Sequence, residues 1–149
     1  MINTIIYLEL DNIICDVKSR NGDLPYSFLN PMPDAKELFN YLQCLRHSEI
    51  QILTCVKSSD EIKEHELKMQ KTQWLNDQNL FYQTNFVSTE EEKINFSTKN
   101  SILIDTSIEC INLVEKSGKY GVLHTDSTST ILKIENIFKK IQYFMSQTT

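Results

Sequence analysis

Short apolar runs alternate along the chain with longer stretches of helical periodicity. Thr4 to Leu10 is almost continuously apolar, which predicts a buried strand. Residues 17–33, VKSRNGDLPYSFLNPMP, hold all three prolines of the chain and one glycine, and predict a loop. Asp34 with Glu37 three residues on predicts a capping-box-like helix start, and Leu38, Tyr41, Leu42 and Leu45 give that helix its apolar stripe. Glu49 to Thr54 predicts a second strand. Residues 58–77, SSDEIKEHELKMQKTQWLND, predict a polar helix buried through Ile62, Leu67, Met69, Trp74 and Leu75.

The second half repeats the alternation. Asn85–Ser88, Ser101–Asp105 and Tyr120–His124 predict strands. Thr106–Lys116 predicts a helix stopped by Ser117-Gly118, and Thr128–Met145 a closing helix with Ile131, Ile134, Ile137, Phe138 and Ile141 on its apolar side. Strand and helix in turn imply an α/β fold: a single Rossmann-like three-layer domain over 1–149, with a five-stranded, mainly parallel sheet and helices on both faces. No internal repeat or second domain is visible.

Composition narrows the function classes. A chain of 149 residues suits one domain and can bury a core without staples. A net charge of −5 with no basic run disfavours an extended nucleic-acid surface. Cys15, Cys44, Cys55 and Cys110 are widely spaced, which argues against a zinc site or a disulfide framework and suits a reducing compartment. The opening MINTIIYLELD lacks a basic n-region, and no apolar run nears the roughly 18 residues of a membrane span. The expectation is a cytoplasmic protein without membrane contact.

Ligands of open α/β sheets bind beyond the carboxyl ends of the strands. The first strand ends on Glu9-Leu10-Asp11, and strand alternation places Glu9 and Asp11 on one side. The second strand ends on Thr54. Lys93 follows the third strand, and the fourth ends on Asp105. Taken singly, each has a plain alternative. Asp11 suits a solvated turn, Thr54 a turn or cap, Lys93 a surface charge within EEEK, and Asp105 a helix N-cap. Together, carboxylates, a hydroxyl and an ammonium on one rim suit phosphoryl transfer: carboxylates hold Mg²⁺, and cations offset phosphate charge.

In this order the segments YLELDNIICD, ILTCVKS, EEKINF and ILIDTSIE resemble the four motifs of the haloacid dehalogenase (HAD) superfamily of phosphohydrolases. PDAKELFNYL, KTQWLND, the Lys93-to-SILID spacing and GKYGVLH are most similar to the cytosolic 5′(3′)-deoxyribonucleotidase group. The resemblance implies Glu9 as nucleophile and Asp11 as general acid and base. It implies Thr54 and Lys93 as phosphate contacts, and Glu9, Asp11 and Asp105 as ligands of a Mg²⁺ cofactor. The implied partner is a phosphorylated substrate, a nucleotide or a macromolecule.

This sequence departs from the motifs in four ways. Glu9 stands where the family carries a nucleophilic Asp, and a displacement of roughly 1 Å can cost about 10²-fold in rate. Asn12 replaces a Gly but tolerates a left-handed backbone. Thr106 replaces the second acid of the fourth motif; Glu109 is either its substitute from the next helix turn or a solvated charge, the second being preferred. Loop 17–33 stands in place of a cap, with Arg20, Tyr26 and Phe28 read as loop anchors in preference to substrate contacts. Capless members act on large substrates or borrow a lid from a second subunit, so a homo-oligomer is compatible. The expected activity is a slow or impaired 5′-nucleotidase-like phosphohydrolase; the alternative is a catalytically degenerate HAD-fold module binding nucleotide, phosphate or protein.

Overall fold

A computed structural model describes residues 3–18 and 24–147. Arg20 lies outside the described residues. The strands are β1 (Thr4–Leu8), β2 (Ser48–Cys55), β3 (Thr84–Val87), β4 (Ser101–Asp105) and β5 (Tyr120–Leu123). The helices are α1 (Ala35–Gln43), α2 (Glu61–Asp77), α3 (Ile108–Lys116) and α4 (Ser127–Gln147). Two 3-10 turns, Tyr26–Phe28 and Glu91–Phe96, stand in the segments after β1 and β3. All five strands are parallel, in the order β3-β2-β1-β4-β5. This is the expected α/β Rossmann-like architecture.

Two apolar layers cover the sheet because its residues alternate between faces. Ile6, Leu8, Ile50, Ile52, Ile102, Ile104 and Val122 meet Leu38, Phe39 and Leu42 of α1, Trp74 and Leu75 of α2, and Ile134 of α4. Tyr7, Leu53, Val87 and Leu103 meet Cys110, Ile111 and Val114 of α3 on the other face. The chain runs outward from β1 through β2 to β3, then returns to place β4 on the other side of β1. That reversal opens a crevice at the carboxyl ends of β1 and β4.

Several boundaries differ from the sequence expectation, each for a local reason. β1 ends at Leu8, so Glu9 and Asp11 lie in the tight turn that follows it. Asn12 takes the left-handed conformation there, with φ of 64°, as its side chain allows. Asp34 makes no side-chain cap for α1. Its carboxylate instead accepts from the Ser127 N–H at 2.8 Å, tying the start of α4 to that of α1. On α2, Ile62 and Met69 are exposed, and the buried positions are Lys71, Trp74 and Leu75. Ser107, not Asp105, caps α3, and Gly118 ends that helix in the left-handed region, as the Ser117-Gly118 stop predicts.

Candidate functional site

The crevice gathers the residues expected at the strand ends. Glu9, Thr54, Lys93 and Asp105 are all buried to within a few per cent, and Asp11 beside them is partly exposed. Such burial is expensive for ions unless partners and hydrogen bonds surround them. Here they do.

Lys93 is fully buried, and its Nζ ion-pairs with Glu9 Oε2, with Asp105 Oδ2 at 2.7 Å and with Glu90 Oε2 at 2.7 Å. The 3-10 turn Glu91–Phe96 carries it across the rim, with Glu90 one turn before it. Asp105 Oδ1 accepts from the Ser107 N–H at 3.0 Å. Glu9 Oε1 turns back on its own backbone and accepts from the N–H groups of Leu10 at 2.8 Å and Asp11 at 3.2 Å. The Thr54 side chain also helps to lower the proton affinity of the Glu9 carboxylate.

A second buried lysine completes the other side. Lys71, from the middle of α2, places its Nζ 2.7 Å from Thr54 Oγ1, 2.9 Å from the Cys55 carbonyl oxygen and 3.2 Å from Asp11 Oδ2. The Tyr26 hydroxyl donates to Asp11 Oδ1 at 2.9 Å, and the same ring lies 5.6 Å from Lys71 Nζ. Tyr26 is therefore a loop anchor whose anchoring point is a site carboxylate. Phe28 is 70% exposed and touches none of these groups through a described hydrogen bond or ring contact.

Lys71, Glu90 and Tyr26 are the site residues that sequence reasoning passed over or placed elsewhere. Lys71 carried a signal: it precedes Trp74 and Leu75 by three and four residues, which puts a charge on the helix face that packs inward. Glu90 was hidden in a run of acids. Thr106 carries no carboxylate and Glu109 is exposed, so neither adds an acid inside the crevice. The acid that joins Asp105 is Glu90.

The three central carboxyls differ in proton affinity. Burial alone would raise Glu9, but the charges of Lys93 and Lys71, the hydrogen bond from Lys93 and the side chain of Thr54 outweigh it and hold Glu9 below the usual range. Burial raises Asp11 above it, against the pull of Lys71 and with the help of the Glu9 charge. Burial and the Glu9 charge raise Asp105 as well, in spite of Lys93. Lys93 is desolvated, yet Glu9 and Asp105 drive its affinity for the proton upward, so it stays an ammonium.

Lys93 Nζ already pairs with Glu9 Oε2 and Asp105 Oδ2, the carboxylates that would hold a magnesium ion. Each oxygen of Glu9, Asp105 and Asp11 already accepts from a protein donor. Glu90, Asp105 and Cys110 do bring one donor atom each within 4.8 Å of one another. However, Lys93 bridges two of these acids, and burial pushes the Cys110 thiol up to about 12, so it remains protonated. An acidic cluster is present; this arrangement of it does not fit Mg²⁺, which wants several free oxygen ligands.

Comparison with known proteins bears on the fold. No protein-family model and no curated relative matches the sequence. Among solved structures, the chain is similar to D,D-heptose 1,7-bisphosphate phosphatase from Burkholderia thailandensis, at a TM-score of 0.53 and 9% identity. The likeness covers 89% of this chain and 98% of that one. The likeness is one of fold: the present chain carries an α/β Rossmann-like fold with a five-stranded parallel sheet. No helix among the described residues is long and apolar enough to cross a membrane.

Proposed function

We propose that this chain is a HAD-like phosphohydrolase of the 5′-nucleotidase type whose turnover is impaired. One observation carries the reading: Thr54, Lys71 and Lys93 converge on Glu9 and Asp11 at the β1/β4 crevice. Two ammonium groups and a hydroxyl can offset the charge of a phosphomonoester. Glu9, held ionised, is the nucleophile: an oxygen lone pair attacks phosphorus, the ester P–O bond breaks, and a glutamyl-phosphate forms. Asp11, whose proton affinity burial raises, protonates the departing alkoxide and then takes a proton from the water that hydrolyses the acyl-phosphate. The α/β Rossmann-like fold, shared with a heptose bisphosphate phosphatase, supports this class. The nucleotide preference rests on the sequence resemblance.

The engaged oxygens of Glu9 favour a second reading, a silent module that binds a phosphorylated partner. Phosphate release from deoxynucleoside monophosphates and an aryl phosphate separates the two. Expected are a low native rate lost in Asp11→Asn, a faster Glu9→Asp variant, and a native rate unchanged by added magnesium or chelator. Release from neither the native protein nor Glu9→Asp overturns the enzyme reading.

A further inference from the structure

We propose that the Glu9 carboxylate is the resident anion of a phosphate-sized cradle, so that any phosphate entering the site must first displace it. This rests on the phosphate-site reading above and adds what keeps that site closed.

The donors around Glu9 come from three separate parts of the chain. The turn after β1 supplies the N–H groups of Leu10 and Asp11, at 2.8 and 3.2 Å from Oε1. The end of β2 supplies the Thr54 side chain, and the 3-10 turn after β3 supplies Lys93, which ion-pairs with Oε2. Lys71 of α2 adds its charge through space. Glu9 itself is 4% exposed. Consecutive backbone N–H groups beside ammonium groups make a concavity that suits an oxyanion. The neighbouring acids have no such surroundings. Asp11 meets Tyr26 and Lys71, and Asp105 meets Lys93 and one backbone N–H.

The side chain reaches these N–H groups because it folds back over its own peptide units. A carboxylate one methylene shorter on the same backbone cannot extend as far. The cradle is thus filled by a tethered group whose effective concentration is high, about millimolar or more for a short tether. A free phosphate competes against that group and against the Lys93 ion pair at once. The inference concerns small tetrahedral oxyanions: inorganic phosphate, and the phosphoryl group of a monoester.

The test is the affinity of inorganic phosphate and of tungstate, by calorimetry and ³¹P NMR, for the native protein, Glu9→Ala, Glu9→Gln and Glu9→Asp. Emptying the cradle in Glu9→Ala is expected to tighten binding about tenfold or more over the native protein. Thr54→Val in that background is expected to remove the gain. Glu9→Gln still fills the space and is expected to bind weakly. Native affinity equal to that of Glu9→Ala overturns the proposal, as does a gain that survives Thr54→Val. Should Glu9→Ala fail to fold, Glu9→Asp asks the same question, and a variant no tighter than the native protein overturns it. The two readings fail separately. Phosphate binding by Glu9→Ala without hydrolysis by any form removes the enzyme and leaves the cradle. Hydrolysis by Glu9→Asp with native-like phosphate affinity removes the cradle and leaves the enzyme.

Discussion

The two sides of the crevice use the same residue type differently. Lys93 is fully buried among three carboxylates, Glu9, Asp105 and Glu90. Lys71 is as deeply buried but meets one carboxylate, Asp11, and two neutral oxygens, from Thr54 and the Cys55 backbone. On the Lys93 side the ammonium is what makes burial of two acids tolerable. On the Lys71 side it orients a hydroxyl and steadies an acid whose side chain keeps 30% of its exposure. Similar burial therefore does not mean similar consequence. What matters is how many charges are stranded when the lysine goes.

Removing each ammonium while keeping side-chain length tests that contrast. Lys93→Met leaves Glu9 and Asp105 facing each other unpaired, and breaking a buried pair in this way costs about 3–5 kcal/mol. The loss is expected in the denaturant midpoint near neutral pH. It should shrink as the pH falls, because stranded carboxyls escape repulsion by taking up protons. Lys71→Met strands a single, partly hydrated acid and leaves Thr54 one donor poorer, a loss of about 1–3 kcal/mol. Equal losses, or a larger one for Lys71→Met, would erase the distinction between the two sides.

The same contrast marks how far the sequence could be read. Strand and helix order came from hydrophobic period alone, because a parallel sheet covered on both faces must bury near-continuous apolar runs. Glu9, Asp11, Thr54 and Asp105 stand out because each ends or follows such a run, and Lys93 because its distance to SILID is similar to the spacing in the family that the motifs resemble. Lys71 was harder. The periodicity of α2 is weak: Leu67, Trp74 and Leu75 pack inward as their apolar character predicts, but Ile62 and Met69 are exposed and a lysine is buried, so counting apolar positions passes over Lys71. Asp34 was legible as a cap, but tertiary packing chose which helix it serves. Tyr26 sits in a loop whose path no local pattern fixes, and only the fold brings its hydroxyl to Asp11.

Tyr26→Phe is the mildest change, and it separates the two sides most finely. It removes one hydroxyl from Asp11 Oδ1 and leaves the ring and Lys71 in place, for a loss of about 1 kcal/mol. The hydrogen bond favours the charged form of Asp11, so its removal should lift a carboxyl that burial already raises. The sign for stability follows. A group with a raised folded-state pKa contributes stability below its unfolded value and loses that contribution as pH rises through the folded value. Lifting Asp11 further makes the Tyr26→Phe deficit larger at neutral pH than in acid. Carboxyl ¹³C titration reads this directly: the Asp11 midpoint should move up while that of Asp105, reached through Lys93 and Ser107, stays in place. If both midpoints move together, the Glu9 charge that both acids feel has joined the two sides into one titrating unit. The division into a Lys93 side and a Lys71 side would then hold for stability but not for protons.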